Sequence, residues 1–175
     1  MIAGLGPAVQ PGDTVLDLCC ADGIMAAPLT ALGLAYSGVD ATEEMVAAAT
    51  RRNPGLEFVT GRMEDYEPAQ PVDVTICLRS FYLAEDRVAF FQRVRGYTRK
   101  KLVFDFRPMV FPIDGVLDEL RGAGFSRIEL RPFFLPQRKR LPGAPGVLEH
   151  REQRERRAGL ALTNRVGCVF CSAAA

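Results

Sequence analysis

VLDLCCADGIMAAPL, Val15 to Leu29, is the stretch whose reading decides the fold. An apolar run carrying one acid leads into small residues, and a helical pattern follows. The pattern predicts a buried strand, a tight turn and a helix whose N-terminus faces the turn. Unpaired N–H groups at a helix start and small side chains let a ligand come close to the backbone, so the turn is a ligand seat. About twenty residues on, a second predicted strand, LAYSGVD, ends at Asp40. A carboxylate there can accept hydrogen bonds from a ribose diol. The two features at this offset favour a nucleoside ligand over an ordinary βαβ turn with an acidic N-cap.

VLDLCCADG followed by YSGVDATEEMVAAA resembles motif I and the segment after it in class I S-adenosylmethionine-dependent methyltransferases, which are Rossmann-like. Asp17 and Gly23 keep the first pattern, while Cys19 and Ala21 stand where glycines are usual. Asp40, Thr42 and Met45 fit the second, D-x-S/T-x-x-M. If Cys19 or Ala21 must adopt positive φ, its side chain costs on the order of 1 kcal/mol. The resemblance implies that Asp17 and the turn through Cys19, Cys20, Ala21 and Gly23 hold the methionine portion of the cofactor. It implies that Asp40, with Ala41 and Met45 beside it, holds the ribose. Met63 and Glu64, after the third strand, would contact the adenine, and Leu78, after the fourth, the methionine end. S-adenosylhomocysteine would be the product.

The 175 residues, 48% hydrophobic and 25% charged, suit one globular domain over 1–175. A net charge of +1 gives no global pull toward nucleic acid or membrane. The start, MIAGLGPAVQPG, has neither the basic end nor the apolar core of a signal peptide, and no stretch is apolar enough to span a bilayer. Five cysteines read as free thiols in a reducing cytoplasm. Cys168 and Cys171 are three apart on a predicted strand and so face opposite sides, a poor pair for metal or redox work. No histidine pair or carboxylate set has metal-ligand spacing. Lysine occurs only at Lys100, Lys101 and Lys139 among many arginines, a bias of GC-rich bacterial sequences.

Strands alternate with helices to the end, which predicts an α/β, doubly wound sheet, mostly parallel with an antiparallel last strand. The first helix is predicted over about 23–31, capped by Asp22, with Pro28 kinking it or delaying its start. Thr42 is the predicted cap of the second helix, and Asn53-Pro54-Gly55 its stop. Val72 to Leu78 reads as a central strand buried on both faces. Phe90, Phe91 and Val94 follow at helical spacing as core residues. The seven-stranded order 3-2-1-4-5-7-6 is implied by the resemblance alone.

The connection between the sixth and seventh strands, about 135–162, carries seven basic residues against three acidic ones between 138 and 157. It includes the only histidine, His150. Such a segment over the ligand edge suits a small-molecule acceptor that is acidic, phosphorylated or carrier-bound; a solvated charged helix that binds nothing explains it equally well.

Methyl transfer from a sulfonium is an in-line displacement whose main demand is alignment, worth roughly 7–11 kcal/mol. A general base is needed only where the acceptor holds its proton tightly; Tyr82, Asp86 and His150 are the candidates. Whether oxygen, nitrogen or carbon is methylated stays open. A dinucleotide oxidoreductase would need G-x-G-x-x-G after the first strand, and Cys19, Cys20 and Ala21 argue against it. A methyltransferase-like binding domain without catalysis fits the two missing glycines, but intact Asp17, Asp40 and Met45 oppose it. An RNA methyltransferase would rest on the basic connection. It lacks the asparagine-proline-proline-aromatic motif after the fourth strand, where Arg79-Ser80-Phe81-Tyr82 stands instead.

Overall fold

The structure is a computed structural model that describes Leu5 and residues 8–108, 110–133 and 166–172. Its strands are β1 (Thr14–Leu18), β2 (Ala35–Asp40), β3 (Glu57–Thr60), β4 (Val72–Cys77), β5 (Thr98–Phe106), β6 (Arg127–Phe133) and β7 (Val166–Ser172). The helices are α1 (Ala26–Thr30), α2 (Glu43–Arg52), α3 (Arg87–Tyr97) and α4 (Ile113–Gly122). The strands lie in the order β3-β2-β1-β4-β5-β7-β6, the order the resemblance implies. β1 through β5 pair in parallel, and β7 is antiparallel to both β5 and β6.

β6 therefore runs the same way as β5, and its last residue lies at the edge where β1–β5 also end. β7 starts from that edge. The basic connection and His150 lie outside the described residues, as do the side chains of Cys168 and Cys171.

Each face of the sheet has its own core. Val15, Tyr36, Val74, Ile76 and Val103 pack under Ala26 and Leu29 of α1. Leu16, Leu18, Val39, Leu102, Phe104 and Phe106 pack under Phe90, Phe91 and Val94 of α3 and Val116 and Leu120 of α4. Strands covered on both faces must be apolar throughout, and β4 and β5 are buried along almost their whole length.

Two local expectations are corrected. α1 is five residues long, its N-cap is Met25, and no side chain caps it. Proline is tolerated in a helix only in the first turn, so Pro28 forces a start at Ala26. Asp22 is instead ion-paired with Arg52 at 2.8 Å. Thr42 is the N-cap residue of α2, as expected, but its hydroxyl donates to Asp40 Oδ1 at 3.0 Å and makes no cap bond. The stretch expected to seat a ligand, Cys19 to Gly23, is thus a backbone turn that ends before α1 begins.

Candidate functional site

Three chain segments meet at the C-terminal edge of β1, β2 and β4. The first is the turn after β1, where Cys19 has φ 59°, Ala21 φ 49° and Gly23 φ 70°. The left-handed conformation that glycine normally supplies is therefore present, with side chains attached at two of the three positions. Each such residue costs about 1 kcal/mol. We predict that Ala21→Gly raises stability by up to about 1 kcal/mol, less the extra freedom it gives the unfolded chain. Urea unfolding checks this, and a loss of stability would show that the turn is not strained.

What holds the turn is hydrogen bonding from its neighbours. The Ala21 N–H donates to Asp40 Oδ2 at 2.9 Å, and Thr42 N–H and Oγ1 donate to Asp40 Oδ1 at 3.1 and 3.0 Å. Asn53 Nδ2 donates to Gly23 O at 3.2 Å and Ala49 O at 3.1 Å, tying the end of α2 to the turn. A Cβ on Gly23 would sit 2.7 Å from that amide nitrogen. Gly38, beside the turn on β2, leaves room for Phe58 and the Cys20 sulfur, which a Cβ would approach to 2.8 and 2.9 Å.

Asp17 lies beneath the turn, 3% exposed, and accepts a hydrogen bond from Tyr36 Oη at 2.7 Å. Burial pushes its carboxyl up to about 7; the Tyr36 bond opposes this and the charge of Asp40 adds to it. The thiols are shifted too. The neighbouring Cys77 thiol pulls Cys19 below the ordinary thiol value against the effect of burial, and Ser80 adds to the pull. Burial pushes Cys20 up to about 12.

The second segment is the loop after β3. Gly61 N–H donates to Asp40 O at 2.9 Å, joining it to the end of β2. The Met63 side chain is buried, and its sulfur accepts from the Cys19 thiol at 3.5 Å. Met63 is thus a core residue, and its side chain does not project from the loop. Glu64 lies 3.6 Å from Arg62, which also pairs with Glu85 at 3.1 Å. Met45, on α2, is 38% exposed.

The third segment follows β4. Phe81 drops into the core, where its ring stacks on Phe91 at 5.1 Å and meets Phe104 at 4.6 Å. That anchor leaves Tyr82 on the surface, 60% exposed. Arg79, with φ 62°, donates its backbone N–H to Asp105 Oδ1 across the ends of β4 and β5. Beside this latch opens a cavity of about 440 Å³ lined by Arg79, Tyr82, Asp105, Phe106, Arg107, Val110 and Phe111. Phe111 is held by the edge of Phe81 and by the Arg87 guanidinium, 4.9 Å above its ring. Arg87 is fixed in turn by a two-point ion pair with Glu119.

Of the three proposed bases, Tyr82 reaches this cavity. Asp86 does not line it; its carboxylate caps α3 by accepting from Ala89 N–H at 3.0 Å. His150 lies outside the described residues. Asp105, Arg107 and Phe111 were not singled out from sequence. The available signal was an aspartate inside the apolar run KLVFDF, followed at once by arginine. Burial raises the Asp105 carboxyl above its ordinary value, opposed by the Arg79 N–H. Among the described residues, no three His, Cys, Asp or Glu side chains are placed to hold a metal ion, and no helix is long and apolar enough to cross a membrane.

Residues 15–101 match the family model described as a methyltransferase domain. The fold is similar to that of magnesium protoporphyrin IX methyltransferase from Synechocystis, crystallised with S-adenosylmethionine (TM-score 0.72, 18% identity, 99% of this chain and 76% of that one). It is similar to a Mesorhizobium loti S-adenosylmethionine-dependent methyltransferase (TM-score 0.71, 16% identity, 98% and 95%). It is also similar to a Haemonchus contortus phosphoethanolamine N-methyltransferase holding phosphomonomethylethanolamine and S-adenosylhomocysteine (TM-score 0.70, 17% identity, 98% and 50%). Comparison with curated protein sequences finds no match.

Proposed function

We propose that this chain, which belongs to the methyltransferase domain family, is an S-adenosylmethionine-dependent methyltransferase acting on a small-molecule acceptor. The observation that carries the reading is the cavity of about 440 Å³ at the ligand edge. Its size is that of a small-molecule pocket. Its Arg79 follows directly on Leu78, a proposed methionine contact, and the next residue, Ser80, donates its hydroxyl back to Leu78 O at 3.2 Å.

The residues of the turn suit the cofactor. Asp40 offers a half-buried carboxylate at the end of β2, already oriented by three donors and retaining acceptor capacity for a ribose diol. Asp17, Cys19, Cys20, Ala21, Gly23 and Leu78 surround the methionine portion in this reading; Ala41 and Met45 flank the ribose, and Met63 and Glu64 meet the adenine. When bound, S-adenosylmethionine supplies a methyl group on a sulfonium, a leaving group that needs no further activation. The protein's task is to hold the acceptor atom in line with that methyl and to keep water out.

The domain is proposed to span 1–175, including the basic connection of about 135–162 that the sequence carries between β6 and β7. An acidic acceptor follows from that charge. A methyltransferase-like domain without catalysis is the second reading, favoured by the side chains at Cys19 and Ala21.

Calorimetric titration with S-adenosylmethionine and S-adenosylhomocysteine decides between them. Micromolar binding that weakens about 10–100-fold in Asp40→Ala supports the enzyme, since the substitution removes hydrogen bonds to a charged acceptor. Asp40 also holds the Ala21 N–H, so the variant's unfolding curve is recorded alongside. No heat and no thermal shift at millimolar ligand would leave only the binding-domain reading.

A further inference from the structure

The cavity at the ends of β4 and β5 is more specific than a generic acceptor site. Its lining residues include two arginines, Arg79 and Arg107, one aspartate, Asp105, and the aromatic Tyr82 and Phe111 with Val110. Tyr82 and Val110 are large side chains left 60% and 58% exposed. Asp105 is 6% exposed, and its Oδ1 is occupied by the Arg79 N–H.

We propose that this cavity takes an aromatic hydroxy acid: Arg79 and Arg107 grip its carboxylate, its ring lies against Phe111, Tyr82 and Val110, and Asp105 accepts the proton of the hydroxyl that is methylated. The assignment rests on the methyltransferase reading above and names the acceptor class for that site.

Four features argue for it. The guanidinium fork matches a planar carboxylate with two parallel hydrogen bonds. Two arginines against one aspartate leave a single net positive charge, which suits a monoanion better than a dianionic phosphate. Phe111 is fixed from two sides, by Phe81 and by the Arg87 guanidinium, so the wall is set before the ligand arrives. A carboxylate in the lining is needed by a hydroxyl nucleophile, which must lose a proton, and not by a neutral amine, which attacks with its lone pair. Burial already holds the Asp105 carboxyl above its ordinary value, which makes it a better proton acceptor once ionised.

The step balances with the groups named. The hydroxyl proton passes to the Asp105 carboxylate as the oxygen–methyl bond forms. The methyl–sulfur bond breaks, its electron pair stays on sulfur, and the sulfonium becomes a neutral thioether. Asp105 then returns its proton to solvent.

The test titrates the full chain, with S-adenosylhomocysteine bound, with 4-hydroxybenzoate and with its neutral isostere 4-hydroxybenzamide. The acid is expected to bind about tenfold or more tightly than the amide, and in Arg79→Met/Arg107→Met the preference should vanish. The wild-type ratio decides the carboxylate grip even if that variant fails to fold. Asp105→Asn keeps an acceptor oxygen for the Arg79 N–H; it should bind the acid as before but lose about 100-fold or more in transfer, together with the pH dependence of the rate. Equal binding of acid and amide, or of neither, overturns the proposal while leaving the cofactor reading intact. Full transfer in Asp105→Asn overturns the role given to that carboxylate. If S-adenosylhomocysteine itself fails to bind, the methyltransferase reading falls, and the proposal with it.

Discussion

Phe81→Ala is expected to cost the domain about 3–5 kcal/mol, a large part of the 5–15 kcal/mol typical of a folded chain. Phe81 is fully buried, and its ring meets those of Phe90, Phe91, Phe104 and Phe111 at 4.6 to 6.0 Å. Truncation removes the transfer energy of the ring and leaves a void among four others that cannot collapse onto it. The effect reaches function because Phe81 is the anchor of the loop after β4. Arg79 lies two residues before it and Tyr82 one after, and both line the cavity. Urea unfolding gives the size of the loss. Tyr82→Ala is the comparison: at 60% exposure it should change stability by less than about 0.5 kcal/mol. If Phe81→Ala cost no more than Tyr82→Ala, the loop would not be held by its aromatic anchor, and the cavity would need another support.

The parts of this site legible in sequence are those whose chemistry is local. The turn after β1 and the aspartate ending β2 are each written in a few consecutive residues, and both arrive where expected. β4 is legible because a strand covered on both faces must be apolar throughout, and VDVTIC nearly is. The strand order was not legible from pattern; only the resemblance supplied it. Local signals failed where a second group competed for the same atom. Asp22 looks like a helix cap until Arg52 comes within 2.8 Å, and the Thr42 hydroxyl looks like a capping group until Asp40 takes it. Asp86 runs the other way: considered as a base, it proves to be the cap of α3. The cavity was invisible because no segment contains it. Arg79 and Asp105 are twenty-six residues apart and meet only because β4 and β5 pair in parallel with their ends level.

Asp17→Asn is expected to have the other large effect, and its sign depends on pH. In the folded chain burial holds the Asp17 carboxyl at about 7, against an ordinary value near 3.9 once unfolded. Between these two values the native state keeps a proton that the unfolded chain releases. The stability associated with that proton is fully present below pH ~4, falls as pH rises, and is gone above pH ~7. The interval is about three pH units, so the change is on the order of 4 kcal/mol. Asparagine carries no charge at any of these pH values, and its carbonyl can still accept from Tyr36 Oη. The variant should therefore match the parent near pH 4 and exceed it at pH 8, with a difference curve that climbs between them. Thermal unfolding across that range provides the curve; a flat difference would mean that Asp17 is not desolvated as the geometry requires. The same variant shows what the carboxylate is for. An acid retained in a buried place where an amide would be more stable is retained for its charge, and the cofactor it is proposed to face carries two positive centres, the ammonium and the sulfonium. Gain of stability with loss of S-adenosylmethionine affinity would make Asp17 a group that lowers stability in order to bind. Gain of stability with affinity unchanged would confine its role to the hydrogen bond with Tyr36, and Asp40 would then be the carboxylate on which cofactor binding depends.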